Sequence, residues 1–237
     1  MISVVVPTYN EKGNILPFVK QMEHVLEKIS DDSEIIFVDD SSPDGTGEVI
    51  KNLQKNNSNL VLVEREKKEG IGAAHMAGFD VAKGDIIITI DVDLSQNPKY
   101  LFDFKDKLYS GWDMVIGSRY IKGGGMENKT FISHMGSRFA NIMSSLILGI
   151  KIRDASHTFR AFKREVYDKL RGKLKSKGHP SFEVEFTYMA TKFGFKICEI
   201  PVIFHENRIS GKSKIDIRRE FYRYMKCLLD LRFRGNK

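Results

Sequence analysis

Two aspartates one residue apart, Asp91 and Asp93, directly follow the apolar run 86–90, which is typical of a buried strand. Carboxylate oxygens are ligands that Mg²⁺ and Mn²⁺ prefer, and substrate phosphates commonly fill the remaining coordination positions. The alternative is that this Asp-x-Asp only caps the helix predicted to begin after Asn97. We favour a metal site because acidic side chains also follow two other predicted strands.

These further acidic side chains lie at the ends of the first two predicted strands. Glu11 comes shortly after the first strand, and Asp39, Asp40 and Asp44 come at the end of the second or just after it. Carboxylates brought this close together repel one another unless cations or hydrogen-bond donors are bound. The second segment is also a strong turn and helix N-cap signal, and both roles can hold together.

The elements that must position these side chains alternate between short β-branched runs and longer amphipathic ones. This alternation predicts an α/β fold with a mainly parallel twisted sheet and helices on both faces. Ligands of such sheets bind beyond the carboxyl ends of the strands, where the acidic side chains lie. The predicted strands are 2–6, 34–39, 60–64, 85–91, 114–116 and 196–203, and the predicted helices are 14–29, 45–56, 70–83, 98–108, 139–150 and 182–193.

Size and charge narrow the function classes. The chain has 237 residues, 41% of them hydrophobic, which suits one sizeable core. Its net charge of +7 favours phosphate-bearing ligands or an anionic membrane surface. Nucleic acid is not expected, because no nucleic-acid-binding motif with interleaved aromatic residues accompanies the charge. The chain has only two cysteines, Cys198 and Cys227, so we expect neither a disulfide framework nor a cysteine-rich zinc site.

Membrane contact is expected at the surface and not across the bilayer. The apolar segment 139–150 has about half of the roughly 20 residues that a spanning helix needs. The N-terminus lacks the features of a secretory signal, so we expect the catalytic part to lie on the cytoplasmic side of a membrane as a peripheral protein. Segment 139–150 fits either the membrane interface or an ordinary buried helix.

The last residues form a separate basic amphipathic segment. We predict a catalytic domain over 1–214 and a C-terminal helix over 215–237 that binds a membrane surface. Packing onto a partner helix or onto its own domain is the alternative. The apolar side of this helix would comprise Ile215, Phe221, Tyr224, Met225, Leu228 and Leu231, among Arg218, Arg219, Arg223, Lys226 and Arg232.

The order of motifs resembles glycosyltransferase family 2, which comprises inverting enzymes with the GT-A fold. Segments 4–11, 38–46, 70–74 and 91–95 carry this resemblance. Within the family, segments 117–120, 137–141 and 208–214 resemble the polyprenol (dolichol) phosphate mannose synthases. The resemblance implies a nucleotide-sugar donor, GDP-mannose first, a polyprenyl phosphate acceptor and Mg²⁺ or Mn²⁺ as cofactor. It also makes a small membrane subunit a candidate partner.

The resemblance further implies a role for individual residues. The metal would be held by Asp91 and Asp93, and Ser95 stands at the position of the third ligand in the family, which a water could replace. Arg119, Arg208 and Lys214 would grip the donor pyrophosphate and the acceptor phosphate. The residues expected to take part in catalysis are Asp91, Asp93, Arg119 and Arg208, and those expected to bind the donor also include Pro7, Tyr9, Glu11, Val38, Asp40, Val92 and Lys214.

Two positions depart from the pattern of the synthases. Relatives usually carry glycine where this chain has His157, and often arginine where it has Ser133. These changes predict a different acceptor loop. Ser156 and Arg160 are candidate pocket residues in that loop, although Arg160 could instead pair with a carboxylate.

The acceptor decides whether a general base is needed. A polyprenyl phosphate is ionised at neutral pH, whereas a glycan hydroxyl needs a base to remove its proton. Glu183 and Glu185 are candidates for that base, but carboxylates near a helix N-terminus are also favourable on their own. A UDP-sugar donor, a hydroxyl acceptor, a nucleotidyltransferase and a non-catalytic nucleotide-sugar binder remain as alternatives.

Overall fold

Near-continuous valine and isoleucine in the first strands requires burial on both faces of a sheet. The computed structural model describes residues 1–30, 32–128, 131–178, 180–205 and 217–234, without the side chains of 131–134, 217–221, 223 and 234. Seven strands form one sheet in the order β3-β2-β1-β4-β7-β5-β8, and two short strands, β6 and β9, pair separately. The strands are β1 Ile2–Thr8, β2 Ser33–Asp39, β3 Leu60–Glu64, β4 Ile86–Thr89, β5 Met114–Ser118, β6 Gly125–Glu127, β7 Arg160–Lys163, β8 Ile197–Pro201 and β9 Ile203–His205.

Helices cover both faces of the large sheet, as predicted. Alternate residues of one strand enter opposite cores: Val4 and Val6 pack on one side, and Val5 packs on the other. The first core contains residues of α1 and α4, and the second contains residues of α3, α5, α6, α7 and α8. The helices are α1 Lys12–Ile29, α2 Thr46–Gln54, α3 Ile71–Val81, α4 Leu101–Tyr109, α5 Phe131–Leu148, α6 Arg164–Leu170, α7 Ser181–Lys192 and α8 Ile217–Arg234.

One strand reverses direction inside the sheet. β7 is antiparallel to both of its neighbours, and its Arg160 lies opposite Thr89 of β4. All other pairs of strands in the sheet are parallel within the described residues. Because of this reversal, the loop that enters β7 meets the edge where β4 ends.

The C-terminal helix packs on its own domain. Tyr224, Leu228 and Leu231 are buried in the second core, and the hydroxyl of Tyr224 bonds that of Ser144 in α5. This packing is the alternative that the sequence left open for these residues. Ile215 lies outside the described residues, as do the side chains of Phe221, Arg218, Arg219 and Arg223. No helix in the described part of the chain is both long and apolar enough to cross a membrane.

Candidate active site

The carboxyl ends of β1, β2 and β4 lie side by side at one edge of the sheet. A non-glycine residue with positive φ follows each of them: Asn10 (60°), Ser41 (54°) and Leu94 (59°). Such conformations are uncommon outside glycine and persist where the surrounding structure enforces them. The chain therefore turns sharply after all three strands, and the predicted site residues Tyr9, Asp40 and Asp93 each lie directly before one of these turns.

Two of the acidic side chains after β2 shape the turn itself. Asp39 accepts hydrogen bonds from the hydroxyl of Thr8 (3.2 Å) and from the backbone and hydroxyl of Ser42 (2.9 and 2.6 Å). Asp44 accepts bonds from the backbone and hydroxyl of Thr46 at the start of α2 (2.9 and 2.6 Å). These donors satisfy the hydrogen-bonding capacity of the two carboxylates and hold them in the turn.

Asp40 is buried and pairs with an arginine that the sequence analysis did not identify. Nη1 of Arg65, just after β3, donates to Oδ1 of Asp40 at 2.6 Å. Burial raises the pKa of Asp40, and the neighbouring charge of Arg65 opposes that rise. Tyr9 lies after the adjacent strand, and Nζ of Lys68 is 3.9 Å from the centroid of its ring. An aromatic face and a buried carboxylate thus lie beside the carboxyl ends of β1 and β2, on two of the residues predicted to bind the donor.

Among the other residues predicted to bind the donor, Pro7 and Glu11 are half-buried, and Val38 and Val92 are buried. Pro7 and Val38 lie opposite each other in the β1–β2 pair, and the side chain of Val38 is buried in the second core. The side chain of Val92 is buried in the first core. Oε2 of Glu11 accepts a hydrogen bond from Asn14 at 2.7 Å. Val38 and Val92 can therefore meet a ligand only through their backbone atoms.

Asp91 is oriented by two side chains from outside its own motif. Its Oδ2 atom accepts hydrogen bonds from Nε2 of Gln96 (2.7 Å) and from the hydroxyl of Thr158 (3.1 Å). The Gln96 amide also donates to Thr158 (2.9 Å), and the hydroxyl of Thr89 donates to the backbone oxygen of Thr158. This network fixes the carboxylate plane, which is how outer contacts prepare a metal ligand.

The donor set after β4 fits a hard divalent cation. Oδ1 of Asp93 accepts the backbone N–H of Ser95 at 3.0 Å. The hydroxyl of Ser95 is buried and has no hydrogen-bond partner among the described residues, which suits an oxygen that binds a cation or its water. No group of three His, Cys, Asp or Glu side chains that could hold a metal ion occurs among the described residues. Two carboxylates and a hydroxyl are ligands that suit Mg²⁺ or Mn²⁺ where substrate phosphates supply further oxygens.

Strand β9 runs beside this loop. The backbone N–H of His205 donates to the carbonyl of Ser95 at 2.9 Å. His205 is the last described residue before 217, so the predicted phosphate-binding residues Arg208 and Lys214 lie outside the described residues. The backbone of Ser133 is helical in α5, but its side chain is not described.

Arg119 forms a buried two-pronged ion pair. Its Nε and Nη2 atoms donate to Oδ2 and Oδ1 of Asp154 at 2.8 and 2.7 Å, and its backbone N–H also donates to Oδ2 at 2.9 Å. Burial opposes both charges, but the mutual interaction raises the pKa of Arg119 and lowers that of Asp154. The negative charge of Asp91 also raises the pKa of Arg119.

The candidate bases and pocket residues of the acceptor loop are buried. Oε2 of Glu185 accepts hydrogen bonds from the backbone N–H groups of Lys175 and Ser176. Oε1 of Glu183 lies 3.9 Å from Nδ1 of His75. Guanidinium N–H groups of Arg160 donate to backbone carbonyls, including that of Glu183 at 3.1 Å. The further carbonyl partners of Arg160 are those of Ala155 and His157, and Ser156 bonds Asn141 through its hydroxyl and its backbone N–H. Arg160 and Ser156 thus hold the loop in place from within.

His157 fills the interior beside this loop. Its Nδ1 atom lies 2.5 Å from the carbonyl oxygen of Gly117, which makes Nδ1 the protonated nitrogen. The ring packs between Phe159 and Phe204, and Nε2 is buried without a hydrogen-bond partner among the described residues. Burial, together with the charge of Arg119, lowers the pKa of His157 from 6.5 to about 3.

This lowered pKa predicts a specific pH dependence of stability. Between pH 3 and pH 6.5 the unfolded chain binds a proton at His157 that the folded protein does not, so stability is present above pH 6.5 and is lost as the pH falls. The expected loss from pH 7 to pH 5 is about 2 kcal/mol. Denaturant unfolding at both pH values should show this loss in the wild type and not in His157→Gln. Equal losses in the two proteins would contradict it.

Comparison with known proteins identifies the family. Residues 3–171 match the model of glycosyl transferase family 2. The chain belongs to this family. A polyprenol monophosphomannose synthase of Mycolicibacterium smegmatis is 36% identical over 217 residues, which are 90% of this chain and 80% of that protein. A dolichol-phosphate mannosyltransferase of Pyrococcus furiosus is 31% identical over 233 residues, 95% of this chain but 64% of that protein.

Solved structures support the fold. Glucosyl-3-phosphoglycerate synthase from Mycobacterium tuberculosis, in complex with Mn²⁺, UDP and phosphoglyceric acid, has a TM-score of 0.72 and 17% identity. The match covers 98% of this chain and 78% of that one. A second structure of that synthase, with Mn²⁺, UDP and glucosyl-3-phosphoglycerate, has a TM-score of 0.69 and 18% identity. The family 2 chain therefore has the GT-A fold that its motifs imply.

Several residues that organise this family 2 site escaped the sequence analysis. Arg65, Gln96, Asp154 and Thr158 were not assigned a role. Gln96 lies five residues after Asp91, and its side-chain amide can donate to a carboxylate, so the sequence contained a signal for this contact. Thr158 lies 67 residues from Asp91 and has no local signal, because only the antiparallel entry of β7 brings the two together.

Proposed function

We propose that this family 2 glycosyltransferase moves mannose from GDP-mannose to a polyprenyl phosphate, with inversion at the anomeric carbon. The structural observation that supports this transfer reaction best is the Asp91 carboxylate, which Gln96 and Thr158 hold at the carboxyl end of β4. The mannosyl-transferring names of both relatives, one of them 36% identical over 90% of this chain, support the sugar and the acceptor. GDP as the donor nucleotide is part of the proposal.

The donor binds along the edge formed by β1, β2 and β4. Its base stacks on Tyr9 and donates hydrogen bonds to Asp40, which Arg65 keeps in position. The diphosphate then lies towards Asp91 and Asp93. A bound Mg²⁺ or Mn²⁺ supplies neutralisation of the charge that develops on the departing nucleoside diphosphate.

The acceptor needs no deprotonation. A phosphate monoester is already ionised at neutral pH, since its second pKa is about 6. An oxygen of the acceptor phosphate attacks the anomeric carbon from the face opposite the nucleoside diphosphate, forming the new bond as the old one breaks. Arg208 and Lys214 hold the two phosphate groups by charge-assisted hydrogen bonds. Nε and Nη2 of Arg119 bond Asp154, so Arg119 contributes through its Nη1 atom. The burial of Glu183 and Glu185 supports a reaction in which neither acts as a base.

Release of nucleoside diphosphate tests the proposal directly. We expect Mg²⁺- or Mn²⁺-dependent release of GDP from GDP-mannose only when a short polyprenyl phosphate is present. UDP-glucose in the same assay tests the donor, and a glycan without a phosphate tests the acceptor. GDP release with the glycan alone, or UDP release exceeding GDP release, would contradict the corresponding part of the proposal.

The membrane that carries the acceptor docks on an outward face of α5 and α8. Met135, Phe139, Ile142 and Leu146 are exposed and follow the spacing of one helical face, and Leu146 is 72% exposed. Tyr222, Leu229 and Phe233 are exposed on α8, which packs against α5. The side chains of Arg138, Lys226 and Arg232 are exposed on the same two helices and suit anionic headgroups.

This docking face leads to a prediction for vesicle binding. Leu146→Ser should weaken binding to anionic vesicles by about tenfold or more, because a leucine side chain gains about 1.5–3 kcal/mol on burial. Tyr109→Ser is the matched control, since Tyr109 is 74% exposed but lies on α4. Co-sedimentation with vesicles of defined composition measures both. Equal weakening by the two changes would argue against the face, and no binding by the wild type would favour a membrane subunit as the anchor.

The division of the chain follows from this arrangement. We propose that residues 1–214 form the catalytic domain and that 215–237 is an attached segment, whose helix α8 has two sides. One side packs on the domain through Tyr224, Leu228 and Leu231. The other side contributes to the membrane-docking face.

A further inference from the structure

A lysine covers the aromatic face at the nucleoside end of the site. Nζ of Lys68 lies 3.9 Å from the centroid of the Tyr9 ring, whose residue is 38% exposed. The positive charge of Lys68 also acts to lower the pKa of the buried Asp40 carboxylate. Lys68 itself is exposed and lies in the segment between β3 and α3. Its ammonium group therefore reaches back across the crevice to the residues at the ends of β1 and β2.

The other cations around this segment are held by carboxylates. Glu69 lies 3.3 Å from Arg65, 3.6 Å from Lys67 and 3.5 Å from Lys177. Within the described residues, Lys68 forms no ion pair, and its contact is the Tyr9 ring. A cation–π contact at an exposed site is weak, so a ligand that carries negative charge can draw the ammonium away.

Base stacking and the present position of Lys68 exclude each other. Stacked aromatic rings have centroids about 4.5–7 Å apart, and an ammonium 3.9 Å above the Tyr9 ring occupies that space. The lysine stem is flexible, so the charge can swing off the ring without movement of the backbone. A nucleotide that stacks on Tyr9 also brings its diphosphate, whose negative charge can attract the displaced ammonium group.

We propose that Lys68 is a movable cation of the nucleotide site, which covers Tyr9 when the site is empty and binds the diphosphate when a base takes its place. This inference rests on the proposed nucleotide-sugar donor and assigns the donor a further binding residue. Lys68 opposes binding of the uncharged nucleoside and favours binding of the diphosphate. Its removal must therefore change the two affinities in opposite directions.

Calorimetric titration with guanosine, GMP and GDP in the presence of Mg²⁺ tests this. In Lys68→Ala we expect GDP to bind about tenfold more weakly, because a charge-assisted contact is lost. Guanosine should bind about two- to fivefold more tightly, because the cation–π contact no longer has to be broken. Lys68→Arg should retain GDP binding, since the guanidinium also reaches phosphate.

Lys67→Ala is the matched control. Lys67 is adjacent, 76% exposed in its side chain and 3.6 Å from Glu69, so its removal lowers the charge of the same segment equally. Its GDP and guanosine affinities should stay within about twofold of the wild type. Equal weakening of guanosine and GDP by Lys68→Ala, or the same result with Lys67→Ala, would overturn the inference.

The inference and the proposed donor fail in different ways. If the wild type binds UDP and not GDP, the donor assignment is wrong, and the same opposite shifts with uridine and UDP would still support Lys68. If the wild type binds GDP and Lys68→Ala leaves the ratio of GDP to guanosine affinity unchanged, only the inference fails. A wild type that binds neither diphosphate overturns both.

Discussion

Asp91→Asn is expected to lower metal-dependent nucleoside diphosphate release by about a thousandfold while leaving the fold intact. The asparagine oxygen can still accept the hydrogen bonds of Gln96 and Thr158, so the loop keeps its outer contacts. The change removes one negative ligand from the donor set, and the neutralisation that a metal supplies is worth several kcal/mol, where each 1.36 kcal/mol is tenfold in rate. Single-turnover release from GDP-mannose with saturating lipid phosphate measures the loss.

A carboxylate on the adjacent helix provides the control for this prediction. Asp106 is exposed on α4, and Asp106→Asn makes the same chemical change away from the strand ends. It should release nucleoside diphosphate at the wild-type rate. A loss of only a few fold in Asp91→Asn at saturating Mg²⁺ would mean that Asp91 does not hold the metal. Thermal unfolding of both variants checks that the fold is retained.

Asp154→Asn is expected to lower the free energy of unfolding by about 3–5 kcal/mol, since it leaves the buried Arg119 without its counter-ion. Both Arg119 and Asp154 are buried, so water cannot replace the lost interaction. Urea unfolding at pH 7 measures the change. Asp85→Asn is the control, because Asp85 forms an ion pair with the N-terminus at a side chain that is 88% exposed, and its loss should have no measurable effect.

The same pair predicts how stability changes in acid. The pKa of Asp154 is lower in the folded protein than its ordinary value of 3.8. Its contribution is therefore present above pH 3.8 and is lost as the pH falls through the folded value. Asp154→Asn should lack this part of the acid sensitivity. If the two proteins lost stability in parallel below pH 4, another carboxylate would be responsible.

The parallel part of the fold follows from local pattern. The strands β1 to β4 are short, near-continuous apolar runs, and the helices between them have one apolar side, so their order and direction are predictable. β7 is not, because four residues with a charge at each end, Arg160 and Lys163, resemble a loop. The predicted strand 196–203 also divides at Val202 into β8 and β9, since β9 pairs with β6.

Local chemistry likewise limits how much of the site the sequence predicts. Asp91 and Asp93 are predicted to bind a metal from their spacing and their position after a strand, and Ser95 from the family resemblance. The partners that orient them could not, because the Asp91–Thr158 and Arg119–Asp154 bonds join residues 67 and 35 positions apart. Asp40 was predicted to bind the donor, but nothing in the sequence indicated that Arg65 would share its carboxylate. The assignments of Arg208 and Lys214 remain predictions.

The reversed strand also affects the order in which the molecule assembles. The ends of β1 and β2 are connected by contacts between residues 31 positions apart, such as Thr8 and Asp39. Asp91 can bond Thr158 only after a further 67 residues have been synthesised. Contacts between distant residues form late, and a growing chain folds from its N-terminus. Until β7 docks, β4 is an open sheet edge, to which another chain can pair. Before β7 pairs with β4, the growing chain therefore lacks the Asp91–Thr158 contact and also exposes a strand edge that favours aggregation.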